Sequence, residues 1–172
     1  GKMVYSNAWG AVNGYNPGGT RIEEGDENYV PVTTDTLYDL ASNTKMYSVN
    51  YALQYMLTQG SDVYDISLDD PITKFFPEFD DEGKTIFKEG TSEEDKAQIL
   101  QWKSQLTVRD ILMHQAGFDP DPQYHNDQFN QVTQLPEQGV DNPLFSQDRE
   151  TTLQMVLASP LTYEPGTKTV YS

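Results

Sequence analysis

Hydrophobic and polar positions alternate weakly at the start of the chain and take up helical spacing from residue 46 onward. Residues 2–13 (KMVYSNAWGAVN) read as a strand, with Val4 and Tyr5 leading toward Trp9. Asn16-Pro17-Gly18-Gly19 is a turn signal. A polar loop follows. Tyr29 to Val32 read as a second extended piece and Leu37 to Ala41 as a third. Met46, Val49, Leu53, Met56 and Leu57 share one helix face, which predicts a mostly buried helix from Ser42 to about Gln59, stopped by Gly60.

Local chemistry places the later elements. Asp70 before Pro71 starts a short helix over 71–76, ended by Pro77. Residues 80–91 form a charged insertion or loop. Ser92-x-x-Asp95 resembles a capping box and opens a helix to about Trp102. Thr107-x-x-Asp110 does the same for a helix through His114, closed by Gly117. Residues 117–145 are rich in Pro, Asp, Asn and Gln, and a loop that long is usually functional or disordered. A last helix spans about 148–158. Glu164-Pro165-Gly166 is a turn, and Thr167 to Tyr171 begin another extended segment. Two or three short strands cannot make a stable sheet alone. The pattern therefore predicts a mixture of strands and helices whose sheet is unfinished within these residues.

Composition narrows the function classes. The 172 residues carry 27 acidic and 11 basic side chains, a formal charge of -16. That opposes nucleic acid or anionic membrane surfaces as partners, since both need clustered Lys and Arg. Half of the excess lies in residues 61–100, with 12 acids and 4 lysines, which reads as a solvated acidic face. There is no cysteine, hence no disulfide, thiol nucleophile or cysteine-ligated metal. No apolar stretch is long enough to span a bilayer, and the first residues carry no signal-peptide pattern.

The candidate chemistry is Ser42-Asn43-Thr44-Lys45. Ser and Lys three apart on a helix share a face, with Cβ atoms roughly 5–6 Å apart. An amine there can take the proton of a hydroxyl, which makes a serine a nucleophile without a histidine. The free N–H groups and dipole of a helix start favour an attached oxyanion. The plainer reading makes Ser42 an N-cap and Lys45 a first-turn surface charge. An S-x-x-K string arises by chance roughly once in a chain this long, so its surroundings must decide. Other strings compete. Tyr5-Ser6-Asn7 and Ser48-Val49-Asn50 have suggestive letters, but the first sits in an expected edge strand and the second inside the Ser42 helix. His114, His125, Asp119 and Asp121 invite a metal site, for which zinc would need three or four converging ligands; the reading here is no metal and no cofactor. Gln123, Tyr124 and His125 lie in a loop that could line a cleft.

Four blocks occur in one order: LYDLASNTK (37–45), ISLDDPITKFFP (66–77), LTVRDILMHQAGF (106–118) and EPGTKTVYS (164–172). With them the chain resembles the serine β-lactamase and penicillin-binding-protein superfamily, on its class C side. LASNTKMY, DPQYHN (121–126) and LFSQD (144–148) look closest to the penicillin-binding protein 4B type. The resemblance implies an α+β, β-lactamase/DD-peptidase-like fold, with a helical subdomain and an antiparallel sheet that is incomplete here because its C-terminal strands are missing. Residues 1–41 would be early strands and loops, 42–160 a mostly helical subdomain with the long loop 117–146, and 161–172 the start of the second-motif segment. It implies Ser42 as nucleophile, Lys45 as general base and Tyr171 as the Tyr opening the family's Tyr-x-Asn motif. The family's Lys-Thr-Gly motif has no match, since neither Lys84-Thr85-Ile86 nor Lys168-Thr169-Val170 fits. The expectation is the N-terminal portion of one domain from a serine acyl-transfer hydrolase. Its substrate would be a D-alanyl-D-alanine peptide, a β-lactam or a small ester. The alternative is a non-catalytic fragment, pairing with its remainder or a second copy, or a peptidoglycan-binding module. An exported, periplasmic or cell-envelope location follows from the resemblance alone.

Overall fold

The computed structural model describes residues 1–126, 129–130, 132, 135–136 and 147–171. The chain divides into two compact units, Gly1–Val49 and Asn50–Ser172.

In the first unit, the Asn16–Gly19 turn forms as its residues dictate. Gly19 N donates to Asn16 O at 2.8 Å with Gly19 at φ +80°, a left-handed conformation that glycine adopts without steric cost. Tyr15 and Arg21 bridge across it. Ala11 and Pro31 bridge the first and second extended pieces, with Val12 N donating to Val30 O and Val32 N to Gly10 O, both at 2.8 Å. Residues 2–9 do not become the expected strand. Val4 is 93% exposed and Trp9 72%, and a strand needs a neighbouring backbone to satisfy its amides. Ile22 is the one buried hydrophobic side chain of this unit. Leu37–Ala41 is not extended throughout, because Leu40 has already turned into helical space.

The predicted helix from Ser42 is present but wound in three ways. A 3-10 turn (Ala41–Asn43) is followed by wide π turns (Lys45–Asn50) and then by α1 (Tyr51–Thr58). Gly60, at φ +83°, ends it. Its apolar face is not buried as expected. Met46 is 62% and Val49 58% exposed, while Leu53, Met56 and Leu57 are half-buried. Periodicity identifies which residues share a face; it does not supply the surface that covers them.

The second unit holds the core. Pro71 caps a single 3-10 turn, Ile72–Lys74, shorter than the expected 71–76 helix. Ser92 accepts from Asp95 N at 3.1 Å and starts α2 (Glu93–Gln105), which runs three residues beyond Trp102. Thr107 and Asp110 form the predicted capping box of α3 (Val108–Leu112). The strands β1 (Phe129–Asn130) and β2 (Leu135–Pro136) pair antiparallel inside the expected long loop. Residues 127–128, 131, 133–134 and 137–146 of that loop lie outside the described residues, as does Ser172. Asp148 accepts from Thr151 N at 2.9 Å and caps α4 (Arg149–Ala158). Phe79, Leu106 and Leu157 form the core cluster, with Ile72, Phe76, Ala116, Phe118 and Leu153 packed on it. Lys103 of α2 is fully buried beside them. Its Nζ donates to Thr85 Oγ1 (3.0 Å) and Leu157 O (2.9 Å) and lies 4.5 Å from the Phe79 ring centre. Trp102, one position earlier, is half-buried in a cleft of about 330 Å³ between α2 and residues 160–162.

Backbone hydrogen bonds stitch three of the four sequence blocks together. Ile72 N donates to Leu106 O at 2.8 Å and Arg109 N to Leu68 O at 2.8 Å. Asp69 accepts from Arg109 Nε at 2.8 Å, which holds its carboxyl below the usual range. On the other side Thr162 N donates to Gly117 O (2.7 Å), Gly166 N to Gln115 O (2.9 Å) and Val170 N to His114 O (2.8 Å). Thr167–Tyr171 is thus anchored by single hydrogen bonds where a strand was expected.

Candidate active site

Ser42 sits inside the 3-10 turn that begins the helix. The cap position falls to Leu40, which has no side chain able to cap, so the N-cap reading of Ser42 is not met. Asp39 Oδ1 accepts from Ala41 N at 2.7 Å, and Asn43 N donates to Leu40 O at 2.9 Å. Between these anchors Ala41 is held at φ +44°, a left-handed value uncommon for any residue but glycine. Such strain persists only where surrounding contacts over-determine it, and it clusters at functional sites. Its effect here is local: the chain turns sharply just before Ser42, and the first helical turn presents the hydroxyl to Lys45.

Lys45 Nζ donates to Ser42 Oγ at 3.4 Å, and both residues are exposed. That distance is long for a hydrogen bond, though catalytic contacts are often loose without substrate. The i, i+3 spacing thus brings together the two residues that it predicted would meet. Tyr171 belongs to the second unit. It is 58% exposed, and its ring lies 4.7 Å from the His114 ring, centre to centre, at 55° between planes.

The competing strings take ordinary roles. Asn7 Nδ2 donates to Tyr5 OH at 3.3 Å on an exposed segment. Ser48-Val49-Asn50 lies in the π turns. Asp119 pairs with Lys88, and Tyr124 is buried with its hydroxyl accepting from Ser159 Oγ. His125 O accepts from Gln147 N at 3.0 Å. Among the described residues no group of three or more His, Cys, Asp or Glu side chains converges on a metal position. Sequence reasoning missed the pairing of His114 with Tyr171. The residues are far apart in the chain, and nothing local marks His114 as a left-handed turn.

A family model described as beta-lactamase matches residues 1–172, and the chain belongs to that family, within the serine β-lactamase and penicillin-binding-protein superfamily. It is 38% identical over 171 residues to an Escherichia coli K12 protein provisionally named D-alanyl-D-alanine carboxypeptidase, covering 99% of this chain and 32% of that protein. A Salmonella agona protein of the same provisional name is 38% identical over 170 residues, again covering 99% of this chain and 32% of the relative. The chain therefore spans about a third of the length of these relatives. No solved structure matches it. Family membership implies the β-lactamase-like fold. Helices dominate the described residues of this chain, and no helix among them is long and apolar enough to cross a membrane.

Proposed function

We propose that this chain carries the nucleophile and its base for a serine acyl-transfer hydrolase, with Ser42 as nucleophile, Lys45 as general base and Tyr171 as proton relay. The observation that carries the reading is the 3.4 Å contact of Lys45 Nζ with Ser42 Oγ at a helix start. With its amine neutral, Lys45 takes the Ser42 proton as Oγ bonds to the substrate carbonyl carbon. The carbonyl oxygen becomes an oxyanion. Ser42 N–H, between the engaged amides of Ala41 and Asn43, is the assigned donor to it. The Tyr171 phenol then gives a proton to the leaving group, and an acyl ester remains on Ser42 until water attacks it. The relatives' provisional names favour a D-alanyl-D-alanine peptide as substrate, with β-lactams and small esters as further candidates. A carboxypeptidase of that class would act at the cell envelope.

Intact-mass spectrometry after incubation with a labelled penicillin, followed by peptide mapping, tests this. The expected adduct maps to Ser42 and is lost in Ser42→Ala. Lys45→Ala should slow its formation by about 100-fold or more. An adduct that persists in Ser42→Ala sinks the assignment.

A second reading, a module that binds peptidoglycan peptide without turnover, is favoured by the exposure of Lys45, since general-base lysines work from buried sites. In that case Ser42→Ala keeps peptide binding intact and no adduct forms in either protein.

A further inference from the structure

His114 stands outside the three residues assigned above, yet several features converge on it. It follows the end of α3 and takes φ +56°, a conformation that side-chain-bearing residues rarely adopt. Its carbonyl accepts from Val170 N at 2.8 Å, and its ring lies against Tyr171. The next residue repeats the attachment. Gln115 Nε2 donates to Thr169 Oγ1 at 3.0 Å, and Gln115 O accepts from Gly166 N at 2.9 Å. Two adjacent residues thus grip the segment that carries the phenol at four points.

We infer that His114 is the positioning residue of Tyr171: its carbonyl sets the backbone beside the tyrosine, and its imidazole sets the ring. The inference rests on the assignment of Tyr171 as proton relay. A relay must be held within about 0.5 Å of its working geometry. Tilted ring pairs such as this one fix relative orientation.

The full chain, labelled with carbon-13 at the tyrosine ζ position, provides the test by NMR. Tyr171→Phe identifies the Tyr171 signal among the eleven tyrosines. Two variants separate backbone from ring. His114→Asn keeps the left-handed turn, which Asn tolerates, and removes the ring. His114→Phe keeps an aromatic ring and removes both nitrogens. His114→Asn should move the Tyr171 signal toward the position of a solvated tyrosine, and His114→Phe should keep it near its wild-type position. A Tyr171 signal that superimposes on wild type in His114→Asn overturns the inference, as does one that moves just as far in His114→Phe. Penicillin labelling of Ser42 tells this failure from that of the relay itself. Unchanged labelling in Tyr171→Phe would defeat the relay assignment, whatever the NMR shows of the His114 contact.

Discussion

Lys103 is the residue whose environment departs most from its chemistry. An ammonium ion is stable in water, and here it is fully buried, held by a threonine hydroxyl, a carbonyl and an aromatic face. Burial pushes its pKa down to about 8, and the charge of Asp80 acts the other way. Below pH 8 the folded and unfolded chains both hold the proton, and the fold carries the cost of a buried charge. Between about 8 and the ordinary value of 10.5 the folded chain releases the proton while the unfolded chain keeps it. The unfolded state then binds more protons, so stability rises with pH through that window, by about 3 kcal/mol in all. Urea unfolding of wild type and Lys103→Met should differ accordingly. The variant lacks this alkaline rise and is more stable than wild type by about 1–3 kcal/mol at pH 7. A variant less stable than wild type at pH 7 as well as above pH 10 would mean that the hydrogen bonds of Nζ outweigh its desolvation.

Among the elements, the helix starts were legible in the sequence because capping is local. Ser92, Thr107 and Asp148 each accept from an amide three residues on, and a reader needs only those residues to see it. The Ser42–Lys45 meeting was legible for the same reason, since helical spacing sets it. Less visible were the features that depend on distant partners. An alanine carries no mark of a left-handed φ, so Ala41 could not be foreseen. A lysine on a helix reads as solvated, so the burial of Lys103 was hidden. The helix α3 stops at Leu112 because His114 leaves helical space, whereas the sequence pattern places its end at Gly117. Gly117 does other work. It sits at φ +95°, and a Cβ there would come within 2.5 Å of Tyr163 O. Gly117→Ala should therefore lower stability by about 2–4 kcal/mol, seen as a lower melting temperature. A loss below about 0.5 kcal/mol would mean that the 161–163 segment moves aside easily.

On the scale of the whole molecule, the two units are unequal. Residues 50–172 hold the core cluster, and residues 1–49 bury Ile22 alone among their hydrophobic side chains. A unit of that size with so little apolar burial is marginal by itself. Amides of residues 10–32 should exchange with deuterium well before those of α2 and α3, in a hydrogen-exchange experiment read by mass spectrometry. Equal protection in both regions would contradict this picture. The chain also has exactly two indoles, and the units divide them: Trp9 lies 72% exposed in the first, and Trp102 half-buried in the second. Fluorescence therefore separates by unit without any added label. Trp9 should emit at longer wavelength and be quenched more readily by acrylamide than the half-buried Trp102, which should emit further to the blue. A neutral quencher suits the purpose, because a surface carrying a net charge of -16 repels iodide. Light alone can then report which half of the chain loosens first.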